Sequence, residues 1–158
     1  MLTHALSMAT PLGALLLESD GEALVAATFD REPPPGALPA DDVLRRAERQ
    51  LGAYFEGRSA PFDVPLALAG TPFQRAVWAA LREIAHGETT TYGALAGRLG
   101  NAAASQAVGA QCGQNPVAIV VPCHRVLGAD GALTGYAGGL ARKRALLDLE
   151  SRQQSLFG

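Results

Sequence analysis

The sequence predicts a small α/β unit followed by a mostly helical unit with a helix-turn-helix pattern. Three observations predict it. Two apolar runs of strand length flank an Asp-Gly turn and lead into one amphipathic helical stretch. Further on, residues 71–112 read as helix, short helix and helix joined by tight turns. The charge also changes sign along the chain. Residues 1–70 hold ten Asp+Glu and five Arg, net −5, whereas residues 71–158 hold five Asp+Glu and eight Lys+Arg, net +3. The total of −2 conceals this asymmetry. An acidic half followed by a basic half suggests two domains, 1–69 and 70–158, with any polyanionic partner on the second. An ordinary solvated surface would also account for the basic half.

In the first half, LGALLLE (12–18) and ALVAATF (23–29) have strand length, and Ser19-Asp20-Gly21-Glu22 between them favours a hairpin. Residues 31–40 hold four prolines and read as a loop. Asp41 or Asp42 caps a helix whose apolar positions are Val43, Leu44, Ala47, Leu51, Tyr54 and Phe55, and Gly57 stops it. FDVPLAL (62–68) is a further strand candidate, confined to an edge by Pro65. His4 stands near the terminus without a partner in view and reads as solvated.

In the second half, Thr71 caps, Pro72 takes the first helical position, and Gln74 closes a capping box. Phe73, Val77, Ala80, Leu81 and Ile84 form the apolar face of this helix, and Gly87 ends it. Thr90 or Thr91 caps a short helix through Leu95 and Leu99, ended by Gly100. A third helix over Ala102–Cys112 is built almost wholly of small residues. Small residues allow close approach to another surface, whether a partner or a neighbouring helix. VAIVV (117–121) reads as a buried strand, GADGALTGYAGG (128–139) as a glycine-rich loop or wing, and 140–151 as a final helix. His86, before Gly87, reads as an exposed turn residue.

The chain is 48% hydrophobic and 18% charged, enough for a core and too apolar for disorder. No apolar run approaches the length of a membrane span. The N-terminus lacks a basic n-region, which argues against a secretory signal. Cys112 and Cys123 are the sole cysteines, too few for a disulfide framework or a four-ligand zinc site. A reducing cytoplasm fits them.

Cys123 ends an apolar run beside His124 and Arg125, which makes it a candidate nucleophile. The thiolate is the reactive form, and a base or nearby positive charge raises its fraction. A small buried hydrophobe is the competing reading, and the one that suits Cys112. On these residues alone a Cys–His hydrolase is also open.

Asn115-Pro116, Val120-Val121-Pro122-Cys123-His124-Arg125-Val126, Gly135-Tyr136-Ala137-Gly138-Gly139-Leu140 and Leu146-Leu147-Asp148-Leu149-Glu150 together resemble the O6-alkylguanine-DNA alkyltransferases. The resemblance is close over 71–150, including Thr71-Pro72-Phe73-Gln74 and Thr91-Tyr92, and looser over the first half. It implies a ribonuclease-H-like α/β domain followed by a winged helix-turn-helix-like domain. It further implies direct reversal of DNA damage in duplex DNA containing alkylated guanine, with O4-alkylthymine as an extension. The base is flipped out, and its alkyl group passes irreversibly to Cys123. By the same resemblance His124 acts as base through a water, and Glu150 orients it. Tyr92 supplies a proton or hydrogen bond to the departing guanine. The backbone at Tyr136 and Ala137 meets the O6 edge, the Cys123 and Val126 carbonyls read the amino group, and Asn115 braces the loop. No cofactor, no metal, no membrane and no obligate protein partner is implied.

Gln106, Ala107 and Gly109 fall on the helix that the resemblance places against DNA. The family usually carries an arginine before the Ala-Val-Gly of that helix, and it takes the place of the flipped nucleotide. Gln106 stands there instead. The shorter, uncharged amide stacks and fills less well. A lesion-binding relative without transfer and an alkylation sensor are the alternatives. The presence of Cys123 favours transfer.

Overall fold

The computed structural model describes residues 2–58 and 61–157, with side chains to residue 152. Two compact units emerge, one of residues up to Ala69 together with Pro116–Ala118, the other of Gly70–Asn115 and the residues from Ile119 onward.

The first unit is built on an antiparallel meander, β1 (His4–Thr10), β2 (Gly13–Ser19) and β3 (Leu24–Phe29), in the order β1-β2-β3. Strand β1 is not expected from the sequence, because HALSMAT mixes small and polar residues without clean alternation. It is held by pairing with the strongly apolar β2, in a register from His4↔Ser19 to Thr10↔Gly13. Central β2 buries five consecutive residues, Leu15–Ser19. The β2–β3 turn follows the Asp-Gly expectation. Asp20 Oδ1 accepts from the Glu22 and Ala23 amides, both at 2.9 Å.

Helix α1 (Asp42–Phe55) is capped by Asp41, whose Oδ1 accepts from the Leu44 amide at 2.9 Å. Its buried residues Leu44, Ala47, Leu51 and Tyr54 pack toward the sheet. The other Asp41 oxygen accepts from Ser19 Oγ at 2.7 Å, joining the end of β2 to the start of α1. His4 is half-buried and its Nδ1 lies 2.7 Å from the Pro39 carbonyl, so the expectation of a solvated side chain is corrected. The strand candidate at 62–68 shrinks to one bridge, Leu66 with Leu24, in which the Pro65 carbonyl accepts from the Leu24 amide.

In the second unit α2 (Pro72–Leu81) has the full capping box at Thr71 and Gln74. The helix stops at Leu81, short of Gly87. Ile84 is buried beyond its end, Phe73 is exposed, and Trp78 is buried instead. Gly70 lies so close to α2 that a Cβ there would come within 2.8 Å of the Trp78 ring. The Trp78 indole donates to the Gln111 carbonyl at 2.9 Å. His86 is half-buried, not exposed.

β4 (Thr90–Thr91) leads directly into α3 (Tyr92–Arg98), capped by Thr91. The third helix is divided. Asn101 caps a 3-10 turn, Ala102–Ala104, and the α-helix α4 runs Ser105–Gly113. The expected helix over 102–112 therefore starts later. The Asn101 side chain accepts from the Ala103 amide and holds the first turn tight. Helices α3 and α4 pack against each other, as a helix-turn-helix requires.

VAIVV is not a strand. Val117 makes one bridge with Ala27, and the chain then turns through Ile119 at φ +73°. Val117 and Val121 are fully buried, Ile119 and Val120 nearly so. A short apolar run reports burial but not conformation. β5 (Val126–Leu127) pairs in parallel with β4, and α5 runs Leu140–Phe157, longer than expected. Among the described residues no helix is long and apolar enough to cross a membrane.

Candidate active site

After Pro122 the chain forms a 3-10 turn, Cys123–Arg125, closed by the Cys123 amide on the Val121 carbonyl at 2.8 Å and the Arg125 amide on the Pro122 carbonyl at 3.0 Å. A turn this tight sends adjacent side chains in different directions. Cys123 is 9% exposed, and His124 is fully buried. Asn115 Nδ2 donates to Cys123 Sγ at 3.2 Å and to the Val121 carbonyl at 2.7 Å. One amide thus fixes both the sulfur and the turn that carries it.

Behind Cys123 lies a buried ionic network. Glu150 on α5 is 1% exposed. Its Oε2 lies 2.6 Å from His124 Nε2, and it accepts from Arg125 Nε at 2.8 Å and Nη2 at 3.0 Å. Arg125 Nη1 also donates to the Ile84 carbonyl at 2.7 Å. Burial alone would push the Glu150 carboxyl up. The hydrogen bonds and charges of His124 and Arg125 overcome this and hold it well below the usual carboxylate range. Burial pushes His124 down, against the pull of Glu150. A neutral imidazole facing an ionised carboxylate carries its proton on Nε2. Nδ1 is then a bare acceptor, and it has no hydrogen-bond partner among the described residues.

Burial also pushes the Cys123 thiol up, while the Asn115 hydrogen bond and the Lys143 charge pull it down less strongly. Cys123 is therefore held as a thiol, not as the preformed thiolate that flanking positive charge suggests, and the residue after it is a neutral imidazole. Cys112 is buried as well, with its thiol pushed up to about 12, chiefly by burial, and it behaves as a core residue.

The parallel β4–β5 pair, Thr90↔Val126 and Thr91↔Leu127, delivers Tyr92 to the same region. Its ring lies against Gly109 of α4, where a Cβ would sit 3.5 Å from Cδ1. Its hydroxyl donates to the Thr134 carbonyl at 3.4 Å, and burial raises its pKa. The Tyr136 hydroxyl is buried without a hydrogen-bond partner among the described residues, and burial raises its pKa too.

Residues 72–152 match the family described as 6-O-methylguanine DNA methyltransferase, DNA binding domain, and residues 4–68 match 6-O-methylguanine DNA methyltransferase, ribonuclease-like domain. The chain belongs to the 6-O-methylguanine DNA methyltransferase family. A methylated-DNA–protein-cysteine methyltransferase of Methanosarcina acetivorans is 50% identical over 146 residues, covering 89% of this chain and 94% of that protein. The Mycobacterium tuberculosis protein of that name is 46% identical over 157 residues, covering 93% and 92%. The crystal structure of the M. tuberculosis O6-methylguanine methyltransferase has a TM-score of 0.88 at 42% identity, covering 99% of this chain and all of that one. The M. tuberculosis protein in complex with DNA gives 0.89 at 45% identity, covering 95% and 94%. A ribonuclease-like domain followed by a DNA-binding domain is the architecture the sequence implies.

Within this methyltransferase fold, two hydrogen-bonded pairs, Asn115 with Cys123 and His124 with Glu150, meet at one turn because Cys123 and His124 are adjacent in it. Val126 follows that turn directly, and Tyr136 and Ala137 lie on the loop before α5. On α4, Gln106 and Ala107 are exposed, whereas Gly109 is half-buried against Tyr92. Lys143 was not singled out from the sequence. It is fully buried, and its Nζ donates to the Thr134 carbonyl at 2.6 Å. Its place in the sequence, in the basic run Arg142-Lys143-Arg144, looks like a solvated face.

Proposed function

We propose that the chain reverses alkylation damage by moving the alkyl group of O6-alkylguanine in duplex DNA onto Cys123. The observation that carries this reading is the buried Cys123 thiol, held by Asn115 and followed in sequence by a buried imidazole whose Nδ1 has no hydrogen-bond partner among the described residues. His124 Nδ1 accepts the thiol proton through a water. Glu150, held ionised by Arg125, stabilises the imidazolium that results. The sulfur lone pair then attacks the alkyl carbon, the C–O6 bond breaks, and its electrons pass to the guanine. Tyr92 supplies a proton or hydrogen bond to that leaving base. The backbone at Tyr136 and Ala137 meets O6, and the carbonyls of Cys123 and Val126 read the amino group. Helix α4 presents Gln106 and Ala107 to the minor groove, and Gly109 gives Tyr92 room. Transfer from carbon–oxygen to carbon–sulfur needs no cofactor. The thioether is stable, so each molecule reacts once. A reducing cytoplasm suits a free thiol with this task. We assign residues 1–69 and 70–158 as the two domains.

The test is intact mass after incubation with duplex DNA carrying O6-methylguanine. A gain of about 14 Da, mapped by fragmentation to Cys123 and absent in Cys123→Ala, is the expected result for thiolate attack. Label on Cys112, or transfer that persists in Cys123→Ala, overturns the assignment. Binding of the lesion without a mass gain would favour the lesion-binding alternative.

A further inference from the structure

Helix α4 is poorly equipped to hold its own place. It buries Val108 and Cys112, carries Gly109 in its middle, and among the described residues no side chain caps its start. Such a helix takes its position from what packs on it. From α2, polar contacts concentrate on its last turn. Trp78 Nε1 donates to the Gln111 carbonyl at 2.9 Å. Gln74 Nε2 donates to Gln111 Oε1 and to Gln114 Oε1, both at 2.9 Å.

The Gln74 amide is fully used. Its nitrogen has two hydrogens, and each meets an acceptor. Its Oε1 accepts from the Thr71 amide at 2.9 Å, which completes the capping box and fixes how the amide points. Gly70 keeps the space, since a Cβ there would lie 2.7 Å from Gln74 Oε1. A capping box needs only the oxygen of this side chain, so glutamate or glutamine serves it. The two bonds to Gln111 and Gln114 lie outside that task.

The turn held by Gln74 leads straight into the site. The Gln114 amide donates to the Gln111 carbonyl at 3.2 Å and the Asn115 amide to the Cys112 carbonyl at 3.3 Å, so Asn115 continues the last turn of α4. Asn115 Nδ2 in turn donates to Cys123 Sγ at 3.2 Å. A shift of that turn therefore moves the donor relative to the sulfur.

We infer that Gln74 is a positioning residue for alkyl transfer: its amide holds the last turn of α4, and through it Asn115, in register with the Cys123 sulfur. This rests on the proposed transfer to Cys123. Asn115 bonds the sulfur whatever the substrate, so loss of Gln74 slows reaction with a free alkylated base as well as with duplex. A residue that served α4 only as a DNA-contacting element would slow the duplex reaction alone.

The experiment measures single-turnover transfer from O6-methylguanine duplex and from free O6-benzylguanine, well below the Tm of every protein compared. The proteins are wild type, Gln74→Leu, Gln74→Glu, Thr71→Ala, Asn115→Ala and the double variant Gln74→Leu with Asn115→Ala. Gln74→Leu should slow transfer on both substrates by roughly tenfold to a hundredfold, the scale of about 1 Å of misplacement. Thr71→Ala loses the hydroxyl that accepts from the Gln74 amide at 3.1 Å but keeps the side-chain bonds of Gln74. It should lose stability to urea and still transfer at the wild-type rate. Gln74→Glu should keep most of the rate, because a carboxylate caps equally well and the Gln111 and Gln114 amides can turn to donate to it. In the double variant Gln74→Leu should add little to Asn115→Ala, the path to the sulfur being already cut. Gln74→Leu at the wild-type rate, slowing confined to duplex, Thr71→Ala or Gln74→Glu as slow as Gln74→Leu, or independent multiplication with Asn115→Ala each overturns the inference. If Gln74→Leu does not fold, Gln114→Ala at the exposed end of the same contact is read by the substrate and Asn115 criteria. Wild type that transfers nothing to Cys123 overturns the proposed function itself, which distinguishes that failure from failure of the inference.

Discussion

Glu150→Gln tests the buried network most directly. The substitution keeps the shape and one acceptor oxygen but removes the charge. Arg125 remains, 7% exposed, with its guanidinium facing an amide in place of a carboxylate. Removing one partner of a buried ion pair costs about 3–5 kcal/mol, mostly for the charge left without compensation. Arg125 keeps its bond to the Ile84 carbonyl, which places the expected loss near the lower end, about 3 kcal/mol. For a chain of this size that lowers Tm by roughly 6–12 °C. The reasoning has a second consequence. Arg125→Met added to Glu150→Gln removes the stranded charge and should restore part of the loss, with the Ile84 carbonyl the remaining cost. Urea unfolding of wild type, the single and the double variant gives all the values needed. A single variant within about 1 kcal/mol of wild type, or a double less stable than the single, would refute the account of a charge held by its partner.

Acid should destabilise the fold in two stages. His124 has a folded pKa below its ordinary 6.5, so the unfolded chain binds the extra proton first and stability falls as pH drops below 6.5. Glu150, also depressed, contributes stability that is complete above 4.5 and is lost as pH falls further, toward its folded value. Denaturant midpoints between pH 8 and 3 that stay level through this range would contradict both shifts. His124→Ala should slow transfer at pH 7 and recover as pH rises toward the pKa of the Cys123 thiol, which burial holds above its ordinary value, since the missing base matters less there. An unchanged rate at pH 7 removes His124 from the mechanism. Gln106→Arg should tighten binding to alkylated duplex by on the order of 1 kcal/mol through stacking and charge. It should also speed duplex repair more than reaction with free O6-benzylguanine, which requires no flipping. Equal effects on both substrates would mean that residue 106 acts on the pocket or on stability.

The readable parts of this chain were those with local physical signatures. Thr71-Pro72-Phe73-Gln74 announces a helix start through bonds made within four residues, and the structure has it. The Asp20-Gly21 turn and the Asp41 cap are local in the same way. What stayed hidden depends on long-range pairing. β1 owes its form to β2, and the two-residue β4 that delivers Tyr92 is too short for any periodicity to register. VAIVV carries burial but no conformational signal, so its turn at Ile119 was unreadable. In the site, Asn115, His124 and Glu150 were named through the family resemblance, since residues so far apart in sequence as Asn115 and Glu150 carry no local signal of a shared task. Nothing hinted that Lys143 is buried, since a lysine between two arginines looks like surface.

The burial of Arg125 has a practical consequence for proteases. Between Arg98 and Arg125 the chain holds no lysine or arginine, so complete tryptic digestion releases residues 99–125 as one peptide carrying both cysteines. In the native protein the bond after Arg125 is shielded, because its side chain is held by Glu150 and the Ile84 carbonyl and cannot enter a protease pocket. Arg98 is half exposed and paired only at the surface. Brief native digestion that cuts after Arg125 therefore reports opening of the turn that carries the nucleophile, independently of any measurement of chemistry.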